Sequence, residues 1–203
     1  MIEVEIKVKI ENSDDMRKKF IEQNGIYKMS LHHEDTYFNM PDGLRDFRKS
    51  DEALRIRKSI ESHIDRKEPR QKSKYFITYK GQKLDSTTKT RKELESIVDE
   101  GEKLKEILKL LGFREIFTVK KERELYEFEH EGYKIEALID YLPILKEHFI
   151  EVEIGTESKE EIDKATQILF DFLNLLGIKE EQSIRKSYLE LIADKFKGKR
   201  RIH

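Results

Sequence analysis

The sequence predicts an α+β fold in which a β-sheet closes into a barrel and helices pack outside it. Several segments alternate apolar and charged residues with a period of two, which is typical of strands with two different faces. Other segments place apolar residues along one side of a helix. These helices must bury their apolar sides, and the apolar face of the sheet is the available surface. Closure around about eight strands would leave the charged face inside, with room for one ligand.

The composition excludes several classes of protein. Charged residues make up 41% of the 203 residues, yet the net charge is only −1, which argues against a general nucleic-acid binder. The absence of cysteine excludes disulfides and thiolate metal sites. No apolar run approaches the roughly 20 residues of a membrane span, and the first residues lack the features of a signal peptide. We therefore expect a soluble, cytoplasmic protein with no membrane or nucleic-acid partner and a charge content typical of thermophiles.

The first half of the chain is predicted to be rich in strands. Strict alternation over residues 2–10 indicates a strand with one apolar and one charged face. Residues 13–24 are predicted to form a helix that begins with Ser13 as its N-cap. Further segments are predicted as strands at 35–39, 53–57, 75–80 and 90–98, a loop at 61–73, and an amphipathic helix at 101–111.

The second half repeats this pattern. It is predicted to contain a hairpin of strands 116–128 and 133–141, a strand at 149–154, helices at 158–176 and 180–196, and a basic tail at 197–203. No linker rich in Gly, Ser or Pro separates the halves, so residues 1–196 are expected to form one domain. His32 and His33 precede a predicted strand and lack spaced histidine partners, which favours loop histidines over metal ligands.

Five predicted strands carry charge at positions i and i+2, which project from the same face. These sets are Glu3/Glu5/Lys7, Arg55/Arg57, Arg91/Glu93/Glu95, Lys121/Arg123 and Glu151/Glu153. In an ordinary sheet such a face would meet solvent. In a closed barrel its cations would instead require a multiply charged anion, because arginine pairs bind phosphate oxygens bidentately. Its carboxylates would require a bridging Mg²⁺ or Mn²⁺ ion, so a polyphosphate with a metal is the expected ligand.

The residues that carry these charges resemble the motifs of the CYTH superfamily, which is named for class IV adenylyl cyclases and thiamine triphosphatases. Glu3-x-Glu5-x-Lys7 resembles its N-terminal hallmark, and the resemblance extends over residues 2–192. Later segments match in the same order: Asp35-Thr-Tyr-Phe-Asn39, Asp51-Glu-Ala-Leu-Arg-Ile-Arg57, Thr78-Tyr-Lys80, Arg91-x-Glu93-x-Glu95, Lys121-x-Arg123, Asp140, Glu151-x-Glu153 and Ser187-Tyr-Leu-Glu190. The segment 141–148 lacks the glycines that the family often has there.

The resemblance implies a closed eight-stranded antiparallel barrel that forms a tunnel, and it implies roles for individual residues. The triphosphate ligands would be Lys7, Arg55, Arg57, Lys80, Arg91, Lys121 and Arg123. The ligands of Mg²⁺ or Mn²⁺ would be Glu3, Glu5, Asp140, Glu151 and Glu153. The catalytic set would be Glu3, Glu5, Lys7, Arg57, Lys80 and Arg123. Glu93 and Glu95 would either join the metal site or orient cations, and the lesser candidates are Lys89, Glu136 and Lys186.

The wording of the motifs favours a class IV adenylyl cyclase-like enzyme, which converts ATP to cyclic AMP and pyrophosphate. The alternative enzyme is an inorganic or thiamine triphosphatase, because both reactions require the same binding of phosphates. A protein that binds nucleotide or polyphosphate without turnover is the alternative of another class. The expected partners are therefore a nucleoside triphosphate, thiamine triphosphate or tripolyphosphate. A homodimer is the default oligomer.

Overall fold

The structure is a computed structural model that describes residues 2–62, 73–84 and 88–200. The strands are β1 (Ile2–Ile10), β2 (Ile26–Asn39), β3 (Ala53–Ser62), β4 (Ser73–Lys83), β5 (Arg91–Val98), β6 (Arg114–His130), β7 (Tyr133–Leu142) and β8 (Glu147–Thr156). The α-helices are α1 (Ser13–Glu22), α2 (Gly101–Leu110), α3 (Ile162–Leu175) and α4 (Tyr188–Arg200). Two 3₁₀ helices cover Lys159–Glu161 and Glu180–Gln182. No helix in the described ranges is long and apolar enough to cross a membrane.

The strands form a closed barrel in the order β1-β5-β4-β3-β2-β6-β7-β8, and every neighbouring pair is antiparallel. The pairing of β1 with β8 is continuous, from Ile2 opposite Thr156 to Ile10 opposite His148. By contrast, β1 meets β5 at only two residue pairs. Because β1 and β2 are four places apart in a ring of eight strands, they face each other across the lumen. The predicted eight-stranded antiparallel barrel is confirmed.

The apolar side of the barrel faces outward and is covered by helices. Val4, Ile6 and Val8 of β1 are at most 1% exposed and belong to the largest apolar cluster. Helices α1 and α3 contribute Phe20 and Leu169 to the same cluster, together with outward residues of β7 and β8. Burial of these apolar faces fixes the strand register, since a shift by one residue would exchange apolar for charged side chains. The charged residues of β1 are therefore directed into the lumen.

Strand β2 begins at Ile26, nine residues before the strand predicted at 35–39. The segment 26–34 does not alternate apolar with charged residues, so it carries no local strand pattern. It is a strand because β3 and β6 pair with its two edges and satisfy its backbone hydrogen bonds. The prediction of loop histidines is therefore wrong, because His32 and His33 lie within this strand.

The helix predicted at 180–196 is divided. After the 3₁₀ helix, Ser183 forms an isolated bridge with Val8, and the amide of Ile184 donates to the Lys7 carbonyl at 2.7 Å. Helix α4 then begins with Ser187 and Glu190 in a reciprocal capping arrangement of side chains and backbone amides. The helix continues to Arg200, so the tail predicted from residue 197 is helical in its described part. Residues 201–203 and most of the loop predicted at 61–73 lie outside the described residues.

Candidate active site

Three carboxylates meet where β1 pairs with β8. Glu3 and Glu5 are two residues apart on β1, and Glu153 of β8 lies directly opposite Glu5 in the register. One carboxylate oxygen from each residue lies within 4.8 Å of the other two. We call these three residues the acidic cluster.

The acidic cluster is electrostatically crowded. Burial raises the pKa of Glu3 to about 7, with Glu93 and Glu5 adding repulsion and Lys80 opposing it. Burial and the nearby charges of Glu3 and Glu5 also raise the pKa of Glu153 well above its usual value. Both shifts show that burial, together with mutual repulsion, disfavours the fully ionised cluster.

A divalent cation fits the donor set of the acidic cluster. Carboxylate oxygens are hard ligands, and three of them within reach of one point suit Mg²⁺ or Mn²⁺. A bound cation would also offset the repulsion that raises the pKa values of Glu3 and Glu153. Glu3, Glu5 and Glu153 would therefore hold the metal that the sequence leads one to expect.

Asp140 and Glu151, which the family resemblance places among the metal ligands, contact cations in this structure. Asp140 is fully buried and accepts bonds from Arg123 at 2.6 and 2.7 Å and from Lys121 at 3.2 Å. Glu151 lies 3.2 Å from Lys7 and also contacts Arg123. Burial raises the pKa of Asp140, but Arg123 and Lys121 outweigh it and hold that pKa below its usual value. Neither residue belongs to the acidic cluster found among the described residues.

The opposite wall of the lumen carries a second group of cations, held by Asp35. The Arg57 guanidinium donates to both oxygens of Asp35, at 2.7 and 2.9 Å. Arg55 lies 3.4 Å from Asp35 and 3.4 Å from Glu95, and it donates to Thr78 at 3.0 Å. Asp35 is 3% exposed and is a site residue that the sequence-based assignment did not include.

The contacts of the remaining candidate residues show which of them lie in the lumen. Glu93 and Glu95 pair with Lys80 and Arg55, so in this structure they orient cations. Lys89 lies in the lumen against Glu5 and 3.2 Å from Glu151. Arg91 is buried opposite Glu3 in the register, and it donates to the Gly81 carbonyl at 3.3 Å. Glu136 and Lys186 are exposed, and Lys186 pairs with Asp194.

Two of the lumen lysines lie in surroundings that disfavour their charge. Burial and the neighbouring ammonium of Lys89 lower the pKa of Lys7 to about 7. Burial and Arg123 lower the pKa of Lys121 to about 8. A polyanion bound in the lumen would favour the charged form of both lysines. Lys7 and Lys121 are therefore the lumen cations whose charge a bound anion would stabilise.

Tyr188, at the start of α4, contacts both the Asp140 carboxylate and the Lys7 ammonium. Its hydroxyl donates to Asp140 at 2.8 Å, and the Lys7 ammonium lies 3.6 Å from its ring centre. The ring packs in an apolar cluster with Phe149 and Ile192. Sequence reasoning missed this role because a tyrosine in a helical pattern carries no signal for contact with a residue 48 positions away.

We expect Tyr188→Phe to lower the free energy of unfolding by about 1.5–3 kcal/mol, because it removes a buried hydrogen bond to a charged group. Chemical denaturation measures this change. Tyr27→Phe is the matched control, since the Tyr27 hydroxyl bonds Ser30 at an exposed site and its loss should have little effect. Equal stability of the two variants would contradict the role assigned to the Tyr188 hydroxyl.

We expect Mg²⁺ or Mn²⁺ to stabilise the protein more at about pH 8 than at about pH 5.5. Glu3 has a pKa of about 7 in the folded protein, against an ordinary value of 4.5. The folded state therefore binds this proton more tightly, and the contribution of Glu3 to the stability of the metal-free protein falls as the pH rises from 4.5 through 7. Protons compete with the metal below about pH 7, where Glu3 becomes protonated. Melting temperatures with and without metal at both pH values test this, and a larger metal effect at the lower pH would contradict it.

The chain is similar to known proteins in sequence and in fold. The CYTH domain family model matches residues 1–188. A Methanocaldococcus jannaschii protein named "Putative adenylate cyclase" is 39% identical over 94% of this chain and 98% of its own length. A structure of a Pyrococcus horikoshii protein is 36% identical with a TM-score of 0.80, over 95% of this chain and 99% of that one. A Hippeastrum protein, whose structure is described as revealing a dominant triphosphatase activity, shares the fold at 16% identity and a TM-score of 0.62, over 95% of this chain and 96% of that one.

Proposed function

Because this chain belongs to the CYTH domain family, we propose that it is a divalent-metal-dependent enzyme that converts ATP to cyclic AMP and pyrophosphate. The observation that carries the proposal is the arrangement of charge across the lumen. The acidic cluster lies on β1 and β8, whereas Arg55 and Arg57 lie on β3 and Lys121 and Arg123 on β6. A triphosphate bound between these walls would contact cations on one side and a carboxylate-held metal on the other.

The cations would stabilise the negative charge that spreads over the phosphate oxygens as the bond breaks. Their carboxylate partners, Asp35 and Asp140, hold the guanidinium groups in fixed orientations before substrate arrives. Such preorganised charges require no rearrangement during the reaction, and positioning with charge neutralisation is the main requirement of phosphoryl and nucleotidyl transfer. A metal on the acidic cluster would supply further charge neutralisation and activation of the attacking oxygen.

Two observations support ATP as the substrate. The archaeal relative at 39% identity is named as an adenylate cyclase, although that name is only provisional. In the register, Arg57 lies opposite Phe76, which in turn lies opposite Ile97. Phe76 is half-buried and Ile97 is 68% exposed, so they offer an apolar surface at one end of the lumen. A purine ring could lie against this surface while the phosphates extend toward Arg57.

The second candidate is a triphosphatase acting on tripolyphosphate or thiamine triphosphate. The chemistry of the lumen favours it, because the buried side chains around Asp140 and Glu151 are charged and would suit a polyphosphate that carries no organic group. A hydrolase that attacks the terminal phosphate would need no contact with Phe76 or Ile97.

Product analysis separates the candidates. The purified protein is incubated with ATP, thiamine triphosphate or tripolyphosphate, with Mg²⁺ or Mn²⁺. Cyclic AMP and pyrophosphate in equal amounts are expected from ATP, whereas orthophosphate without cyclic AMP would support the triphosphatase. Phe76→Ala is expected to weaken ATP binding and leave tripolyphosphate binding unchanged. Binding without any product would overturn both enzymatic proposals.

A further inference from the structure

His33 is a buried histidine on the lumen side of β2. It lies opposite Ser59 of β3 and Lys121 of β6 in the register, and it is 4% exposed. Its Nε2 atom lies 3.1 Å from the Ser59 hydroxyl oxygen. Its Nδ1 atom is also buried, yet it has no hydrogen-bond partner within residues 2–62, 73–84 and 88–200. An unsatisfied buried nitrogen lowers stability, so Nδ1 has a hydrogen-bonding capacity that a molecule bound in the lumen could use.

The surroundings of His33 keep its ring neutral. Burial and the positive charges of Arg57, Lys121 and Arg123 lower the pKa of His33 far below its usual value, against the opposing charge of Asp35. A neutral imidazole has one N–H group, so one nitrogen donates a hydrogen bond and the other accepts. The Ser59 hydroxyl can take either role, which means that the ligand at Nδ1 decides the tautomer.

We propose that His33 is a substrate-binding residue whose Nδ1–H donates a hydrogen bond to a phosphate oxygen of the bound triphosphate. This inference rests on the proposed function, because the same three cations that surround His33 would hold the phosphates. Ionised phosphate oxygens only accept hydrogen bonds. Nδ1 must therefore carry the proton, and the Ser59 hydroxyl donates to Nε2.

The position of His33 in the barrel suits this role. Strand β2 faces β1 across the lumen, so His33 lies on the wall opposite Glu3 and Glu5. A phosphate chain that reaches from a metal at the acidic cluster toward Arg57 and Lys121 would pass this wall. A neutral donor there adds a directional contact without adding to the repulsion among the cations.

Calorimetric binding of tripolyphosphate with Mg²⁺ tests the role of His33 through two substitutions. His33→Leu removes the donor and is expected to weaken binding by about tenfold or more. His33→Asn places an amide N–H near the position of Nδ1 and is expected to keep the affinity within about threefold of the wild type. His32→Leu is the matched control, because His32 is the neighbouring residue on the outer face of the same strand. Wild-type affinity in His33→Leu would overturn the inference alone, whereas absence of binding by the wild type would overturn the proposed function as well.

A second measurement reads the tautomer of His33 in the wild-type protein itself. In ¹⁵N spectra of labelled histidine side chains, the His33 signals are identified by their loss in His33→Asn. The Nδ1–H tautomer is expected with tripolyphosphate bound, with a downfield shift of that proton on binding. An Nε2–H tautomer in the bound state would overturn the inference, because a bare Nδ1 would repel a phosphate oxygen.

Discussion

Replacement of Glu153 with glutamine is expected to reduce turnover by more than about a hundredfold while raising the melting temperature of the metal-free protein. The substitution removes one of three oxygen ligands from the acidic cluster. Loss of a residue that only orients a metal ligand already lowers metal affinity or activity by roughly 10–100-fold, so loss of a ligand should have a larger effect. The substitution also removes a half-buried carboxyl whose ionisation is opposed by burial and by Glu3 and Glu5. Each kcal/mol of relief corresponds to a rise of about 2–4 °C for a chain of this size.

Steady-state assays and thermal melts of metal-free protein measure the two effects of Glu153→Gln. Glu147→Gln is the matched control, because Glu147 lies on the same strand but pairs with Lys9 near the surface. The control is expected to keep the activity and the melting temperature of the wild type. A Glu153→Gln variant with full activity, or one that Mg²⁺ or Mn²⁺ stabilises as much as the wild type, would contradict the assignment of the acidic cluster as the metal site.

Asp140→Asn is expected to lower the free energy of unfolding by about 3–5 kcal/mol, because it removes one partner of a buried ionic network. Asp140 is fully buried and accepts hydrogen bonds from Lys121, Arg123 and Tyr188. Without its charge, the two cations would keep Glu151 as the carboxylate that contacts both of them. The loss should be largest near neutral pH and should diminish in acid. The pKa of Asp140 is lowered in the folded state, so the stabilising contribution of Asp140 falls in acid as its carboxylate becomes protonated.

This experiment also separates two roles for Asp140. If it holds the cations, Asp140→Asn destabilises the protein in the absence of metal. If it is a metal ligand, as the family resemblance implies, the metal-free protein keeps its stability and the metal effect disappears. Chemical denaturation in a chelator distinguishes these outcomes. Asp194→Asn is the control, since the Asp194 pair with Lys186 is exposed and contributes at most about 1 kcal/mol.

The features of the barrel that could be predicted from the sequence are those with a local pattern. Alternation in β1 assigns Glu3, Glu5 and Lys7 to one face and Val4 and Ile6 to the other, and no other part of the chain is needed for that assignment. The same pattern favours the closed barrel without requiring it, because the charged face of an open sheet could also meet solvent. Helices α2 and α3 were equally recognisable from their apolar spacing.

The parts that sequence reasoning missed depend on contacts between distant segments. Tyr188 reaches Asp140 because α4 packs over one end of the lumen, and no spacing in the chain indicates this. His33 lies in a part of β2 that is held by pairing on both edges rather than by its own pattern. Contacts between distant segments also decide which carboxylates pair with cations and which form the acidic cluster. Glu151 and Glu153 are two residues apart and face the same side of the strand. Glu151 nevertheless contacts Lys7, whereas Glu153 lies with Glu3 and Glu5.

The most direct test of the proposed function is a crystal structure of the protein with Mn²⁺ and tripolyphosphate, in which anomalous scattering locates the metal. The expected result is a Mn²⁺ peak bound by Glu3, Glu5 and Glu153, with phosphate oxygens on Arg57, Lys121 and Arg123 across the lumen. Mn²⁺ bound elsewhere, or tripolyphosphate bound outside the barrel, would contradict the account of this lumen as a metal-dependent triphosphate site.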